Sequence, residues 1–155
     1  MAFAGQGAHN TAMPDRGPSV TCCAIAFAVA LAAVFSLAET ACAGERDDFL
    51  AGSSRDCARC DLAGVNLKRH DLTGADLTGA DLKGANLHDA KLAGAHLAGS
   101  DLSGANLNKA DLSRADLTKA DLREAMLYAA HLDAANLSGA NLTDALMGTA
   151  RLTRS

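Results

Sequence analysis

The chain has no tryptophan, one tyrosine and four phenylalanines in 155 residues, so aromatics make up only 3% of it. That poverty excludes an ordinary jigsaw core of large, shape-matched side chains. It has no basic excess either: the formal charge is −4, which excludes the electropositive face that nucleic-acid binding usually requires. What it does not lack is apolar content. At 49% hydrophobic residues the composition lies far from the polar, highly charged profile of disordered chains. The excess is mostly Ala and Leu with abundant Gly, which suits a narrow and repetitive interior. The length allows one domain besides whatever processing removes.

The first 43 residues read as a separate object. Val20 to Leu37 runs "VTCCAIAFAVALAAVFSL", eighteen residues without a charge, preceded by Arg16 and followed by "ETACAG". A basic residue, an apolar stretch and a small-x-small site describe a secretory signal peptide, with Ala41-Cys42-Ala43 placing the cut before Gly44. Met13 is a second candidate start, giving a shorter leader. The alternative is an uncleaved inner-membrane anchor, because eighteen apolar residues just span a bilayer. Cys42 does not make a lipoprotein, since Glu39-Thr40-Ala41 before it fails at the apolar position of a lipobox. Cleavage would leave Cys57 and Cys60 as an even pair in an oxidising compartment, periplasmic or secreted.

From Cys60 to Arg154 the chain divides into nineteen windows of five. The central residue is Leu in eighteen of them and Met147 in the other; Ala stands two places earlier in fifteen, and Asp or Asn stands between in thirteen. No regular element has this period. On an α-helix, steps of five rotate by about 140°, so the leucines would spray around the cylinder. On a flat strand an odd period sends successive leucines to opposite faces. The pattern works if the chain turns a corner after every window, pointing each Leu and Ala inward, and four sides then close a coil of twenty. The phrases "ADLTG", "ANLHD" and "ADLSR" resemble the pentapeptide-repeat family. The resemblance implies an all-β solenoid, a right-handed quadrilateral β-helix of about five coils. The expected organisation is a signal peptide over 1–43, an N-terminal cap over 44–59 and the β-helix over 60–155.

Residues twenty apart should then be neighbours. Asp61, Asp81, Asp101 and Asp121, continued by Asn141, form an acidic ladder on the first face. It reads either as a strip imitating phosphates or binding a cation, or as carboxylates that meet backbone N–H groups at the corners; the second reading is favoured, because nearby bases dilute the strip. Asn66, Asn86 and Asn106 make the second face. On the third (Asp71, Lys91, Asp111, His131, Arg151) and fourth (Asp76, His96, Asp116, Asn136), acids alternate with other residues. The corners are mostly Gly up to Gly104, then Lys109, Arg114, Lys119 and Glu124, which suggests that later corners use a turn with no need for positive φ. Met126 and Leu146 take outward places where Asp or Asn is the rule, and Tyr128 stands beside them, so an apolar interface patch is expected on the second face near the C-terminus. An uncovered last coil beside it suggests a homodimer through the C-terminal end.

In the cap segment "GERDDFLAGSSRDCAR", a short helix should lay Phe49 and Leu50 over the first coil. Cys60, Val65 and His70 replace Ala there and are expected to fill space beneath it. Cys57-Ala58-Arg59-Cys60 has three readings: a redox motif, which lacks its usual βαβ setting; part of a zinc site, for which His70 is at best a third ligand; and a structural disulfide or buried thiol pair pinning the cap. In exported members of the family a C-x-x-C before the first window resembles a cap feature, which supports the last. No catalytic constellation, cofactor site or metal site is expected. The function that follows is a non-enzymatic rigid scaffold of the cell envelope, binding a protein that the sequence does not identify and touching a membrane only if its leader stays uncut. The alternative is a DNA mimic of the kind that binds gyrase, against which stand the leader and twelve acids to ten bases between Cys60 and Arg154.

Overall fold

The computed structural model describes residues 44–155, so the leader expected over 1–43 lies outside the described residues. A helix over 44–50 is followed by a turn and then by a coil that continues to the C-terminus. Acidic Glu45, Asp47 and Asp48 suit the positive pole of the helix's first turns. Its end is a Schellman motif: Ser53 N–H donates to the Asp48 carbonyl and Gly52 N–H to that of Phe49. Gly52 holds the left-handed conformation this stop requires, at φ +74°.

Parallel pairing then joins residues at a constant separation of twenty, from Asp56 with Asp76 to His131 with Arg151. All four expected ladders are present in register. Pairing begins at Asp56, which makes Arg55–Arg59 a further side ahead of the leucine-centred windows, with Cys57 in the axial place. The sides therefore make five coils: 55–74, 75–94, 95–114, 115–134 and 135–154. At ordinary strand spacing the stack is about 24 Å tall.

Ala80–Gly84 shows why five residues suffice for a side. The N–H of Ala80 closes a turn onto the Leu77 carbonyl at 3.1 Å. That of Asp81 donates back to Cys60 at 2.9 Å; those of Leu82 and Gly84 donate forward to Asp101 at 2.7 Å and Ser103 at 2.9 Å. The fifth, on Lys83, is held by the Asp81 carboxylate at 3.0 Å. Every backbone donor of the side has an acceptor, as buried or paired backbone demands.

The corners differ from expectation. Left-handed φ runs through the third turn position of every side from Arg59 to Arg154, glycine or not: Lys109, Arg114, Lys119 and Glu124 have φ of 61°, 60°, 58° and 57°. One turn, of type II pattern, therefore serves early and late corners alike. Stacked coils fix the corner from both sides, and the pairing overrides a residue preference of about 1–2 kcal/mol.

Inside, every leucine from Leu62 to Leu132 is buried, as is every alanine in the inward place from Ala75 to Ala135. Ser100 takes an alanine place, fully enclosed, with its hydroxyl donating to the Leu97 carbonyl at 2.8 Å. The N-terminal end is covered, since Phe49 is 3% exposed and joins the core with Leu50 packed beside it. The opposite end is not: Leu137, Leu142 and Met147 are only partly buried, and Leu152 is 41% exposed. Leu97→Ala should consequently cost about 3 kcal/mol or more, and Leu152→Ala under about 1 kcal/mol, in urea denaturation. Equal losses would contradict a core that is closed at one end and open at the other.

Candidate functional site

Two places draw chemistry-bearing or unexpected residues together, one at each end of the rod. Under the helix, Cys57 and Cys60 are buried with their sulfurs 2.11 Å apart and their Cα atoms 5.2 Å apart. They are the first and fourth residues of a corner, whose hydrogen bond runs from Cys60 N–H to the Cys57 carbonyl at 3.2 Å. A sulfur bridge there spans the turn and belongs to the same buried cluster as Phe49. The other residues expected to fill this space divide: Val65 is half-buried against the core, whereas His70 is exposed. An imidazole has no partner in an apolar axis, and its Nδ1 instead lies 3.3 Å from the Lys68 carbonyl at the surface. Among the described residues no three His, Cys, Asp or Glu side chains converge as metal ligands.

The acidic ladder stacks as Asp61, Asp81, Asp101, Asp121 and Asn141. In each of these five the Oδ1 atom accepts the N–H two residues on, at 2.9 to 3.1 Å. The same contact recurs at all thirteen Asp or Asn places of the windows from Cys60 onward, including Asn66, Asp111 and Asn136. The ladder's lone pairs are turned toward its own corners, and Asp121 additionally binds Arg123 at 2.6 Å. Several carboxylates are held below their ordinary value of 3.8: Asp116 by the hydroxyl and N–H of Thr118, Asp121 by Arg123, and Asp133 by the Thr153 hydroxyl of the next coil, with Arg151 assisting.

At the far end the second face changes character. Asn106 pairs with Met126 and Met126 with Leu146. Leu146 is 64% exposed and Tyr128 55%, with Met126 half-buried between them. The Tyr128 ring crosses to the next coil and lies over Gly148, where an added Cβ would stand 3.1 Å from Cδ2. Because Met126 cannot hold the Tyr128 N–H as an Asp would, Asn108 of the coil below accepts it at 2.8 Å. These side chains border a shallow groove of about 440 Å³ that also reaches Ala145 and Met147. Met126, Tyr128 and Leu146 are thus contiguous, and the groove runs to the open end. The reach of Asn108 and the bare Gly148 were not singled out from the sequence, although both stand twenty residues from Tyr128.

The pentapeptide-repeats profile matches in eight copies, over residues 56–92 and 85–124. A pentapeptide repeat protein of the Arabidopsis thaliana thylakoid lumen is 35% identical with a TM-score of 0.58, over 61% of this chain and 67% of that one. The chain belongs to the pentapeptide-repeat family. Its fold is the right-handed quadrilateral β-helix. A second member, from Nostoc PCC 7120, is 41% identical over 63% of this chain and 72% of its own, with a TM-score of 0.30. QnrB1, a plasmid-mediated fluoroquinolone resistance protein, is 20% identical over 64% and 59%, with a TM-score of 0.42. Among curated proteins none matches the chain.

The lowered carboxylates have a consequence for stability. A group whose folded pKa lies below its unfolded one stabilises the fold above the unfolded value and loses that contribution as pH falls through the folded one. Stability should therefore hold from neutrality down to about pH 5 and fall as pH drops below 3.8. Asp116→Asn keeps the acceptor without the titration and should soften the acid loss. Denaturation midpoints that rise on acidification would contradict this.

Proposed function

We propose that this pentapeptide-repeat protein is a non-enzymatic, exported scaffold that contacts its partner through the C-terminal end of the rod. The observation that carries the reading is the apolar patch on the C-terminal coils, where Leu146 and Tyr128 stand in solvent on either side of Met126. Side faces are poorly suited to recognition, because their repeated polar atoms are committed to internal turns. The patch of Met126, Tyr128 and Leu146 offers unspent apolar surface around a groove, which often marks an interface.

Export rests on the leader sequence and on the paired cysteines, and it accords with a relative from the thylakoid lumen. The relative is said to reside there; its compartment supports the proposal by analogy only. Cys57 and Cys60 act as a structural disulfide that fastens the first corner beneath the cap. Among the described residues no helix is long and apolar enough to cross a membrane. A second copy of this chain, met through the C-terminal coil, is the partner considered first for that patch. A head-to-tail filament is disfavoured, because the helix occupies the surface that the next rod's end would need.

The intact mass and location of the chain, expressed from Met1 in a Gram-negative host, test the reading. A periplasmic species beginning at Gly44 and lighter by one hydrogen pair is expected. An uncut species in the membrane fraction would replace the exported rod with an anchored one. An uncut soluble species in the cytoplasm would overturn export and return DNA mimicry to consideration.

A further inference from the structure

We propose a second contact surface, on the second and third coils and apart from the C-terminal patch, where sides 90–94 and 95–99 receive the carboxylates of an acidic protein segment. Side faces commit their polar atoms to their own turns, and these two sides are the exceptions. At the thirteen Asp or Asn places, Oδ1 accepts the N–H two residues on at 2.9 to 3.3 Å. The sides without an Asp or Asn are those of Lys91, His96, Met126, His131, Leu146 and Arg151. Four of them are closed to an acid from outside. Asn108 takes the Tyr128 N–H at 2.8 Å on the Met126 side, and Asp133 binds Thr153 on the Arg151 side. The His131 side carries Asp133 at its own turn, and on the Leu146 side the Tyr128 ring lies over Gly148.

The remaining two sides are consecutive. The N–H groups of Ala93 and Ala98 have no acceptor among the described residues, and a base, exposed Lys91 or His96, stands where the carboxylate would be. Alanine at each turn adds no hydroxyl to compete, unlike Thr118, which bonds Asp116. Nothing overhangs the approach: a Cβ added at Gly94 or Gly99 would meet no atom within 4 Å, whereas Arg59 and Lys119 lie over Gly79 and Gly139. A carboxylate oxygen arriving from solvent takes the acceptor position that Asp fills elsewhere, with the Lys91 ammonium or the His96 imidazole as its second donor. Lys91 is stacked between Asp71 and Asp111, and His96 between Asp76 and Asp116. Those four turn Oδ1 to their own corners. A further carboxylate at that spacing is tolerated on the first face, where Asp81 and Asp101 each stand between two acidic neighbours. A lone exposed ion pair is weak. Two such positions on adjoining sides favour a chain bearing several acids, whose second contact forms at high effective concentration.

Titration of hexa-aspartate into the ¹⁵N-labelled protein, purified from expression of the full chain, tests the surface by amide chemical shift. The Ala93 and Ala98 resonances are expected to move together along one saturating curve, at about a tenth or less of the acetate concentration that moves them equally. In the double variant Lys91→Asp, His96→Asp the chain's own carboxylates fill both positions. The shifts should then vanish while Ala93 and Ala98 gain protection from exchange, a readout that also reports an intact fold. Lys83→Asp makes the same change of charge on a side whose N–H is already held by Asp81 at 3.0 Å, and should leave the titration unchanged. Shifts spread equally over Lys83, Ser103 and Thr118 would overturn the proposal, as would an equal loss of binding in Lys83→Asp. Acetate saturating at the same concentration as the peptide would overturn the acidic segment as the partner.

Discussion

The structure depends on satisfying the backbone N–H groups of the stacked sides, five to a side, as at Ala80–Gly84. Stacking accounts for three of them and the corner for a fourth. The remaining N–H, just past the axial leucine, faces outward with no carbonyl within reach, and an Asp or Asn two residues earlier supplies the acceptor. That single contact accounts for the letter most often repeated after Ala and Leu. It makes the acidic residues part of the backbone's own bonding, and it explains why Asn serves wherever Asp does. Lys91 and His96 are among the places that break the rule, and the N–H groups of Ala93 and Ala98 have no acceptor among the described residues. Both stand part-exposed, where water can serve.

The interior follows from the same geometry. A coil that turns every five residues has an axis one leucine wide, and a small residue, nearly always alanine, lets the chain approach it. Such a core is a column without a natural end. A stacked repeat must be closed by something that is not a repeat, and here Phe49 does so at one end only. Along the last described coil the column is only partly buried, at Leu137, Leu142 and Met147. Met126, Tyr128 and Leu146, outside the repeat rule, lie beside it.

Much of this was legible in the residues. The period and the inward places of Leu and Ala come from spacing, and the four ladders follow once the family resemblance supplies the square section, because a twenty-residue coil leaves no freedom of register. Where the reading departed, single residues were asked to report on conformations set by their neighbours. Lys109 to Glu124 gave no sign of their left-handed φ, since the stacked corners above and below impose it. Cys57 stood five residues ahead of Leu62 in the axial place, yet a cysteine in a leucine column hides the phase of the repeat. His70 occupies an alanine position by count and turns out to water, because a polar ring in an apolar shaft costs more than a small defect in packing. The partner leaves no comparable trace, since no motif in the repeat spells out what binds it.

Amide hydrogen exchange resolved by residue tests the central claim most directly, because it reads the N–H groups one at a time. The account predicts slow exchange at the axial leucines of the middle coils. It predicts measurable protection at Ser103, Ser113 and Thr118, each held by the Asp two residues before, and near-random-coil exchange at Ala93 and Ala98. Equal protection at all five positions would show that the side-chain acceptor is dispensable and that the repeated Asp and Asn need another explanation.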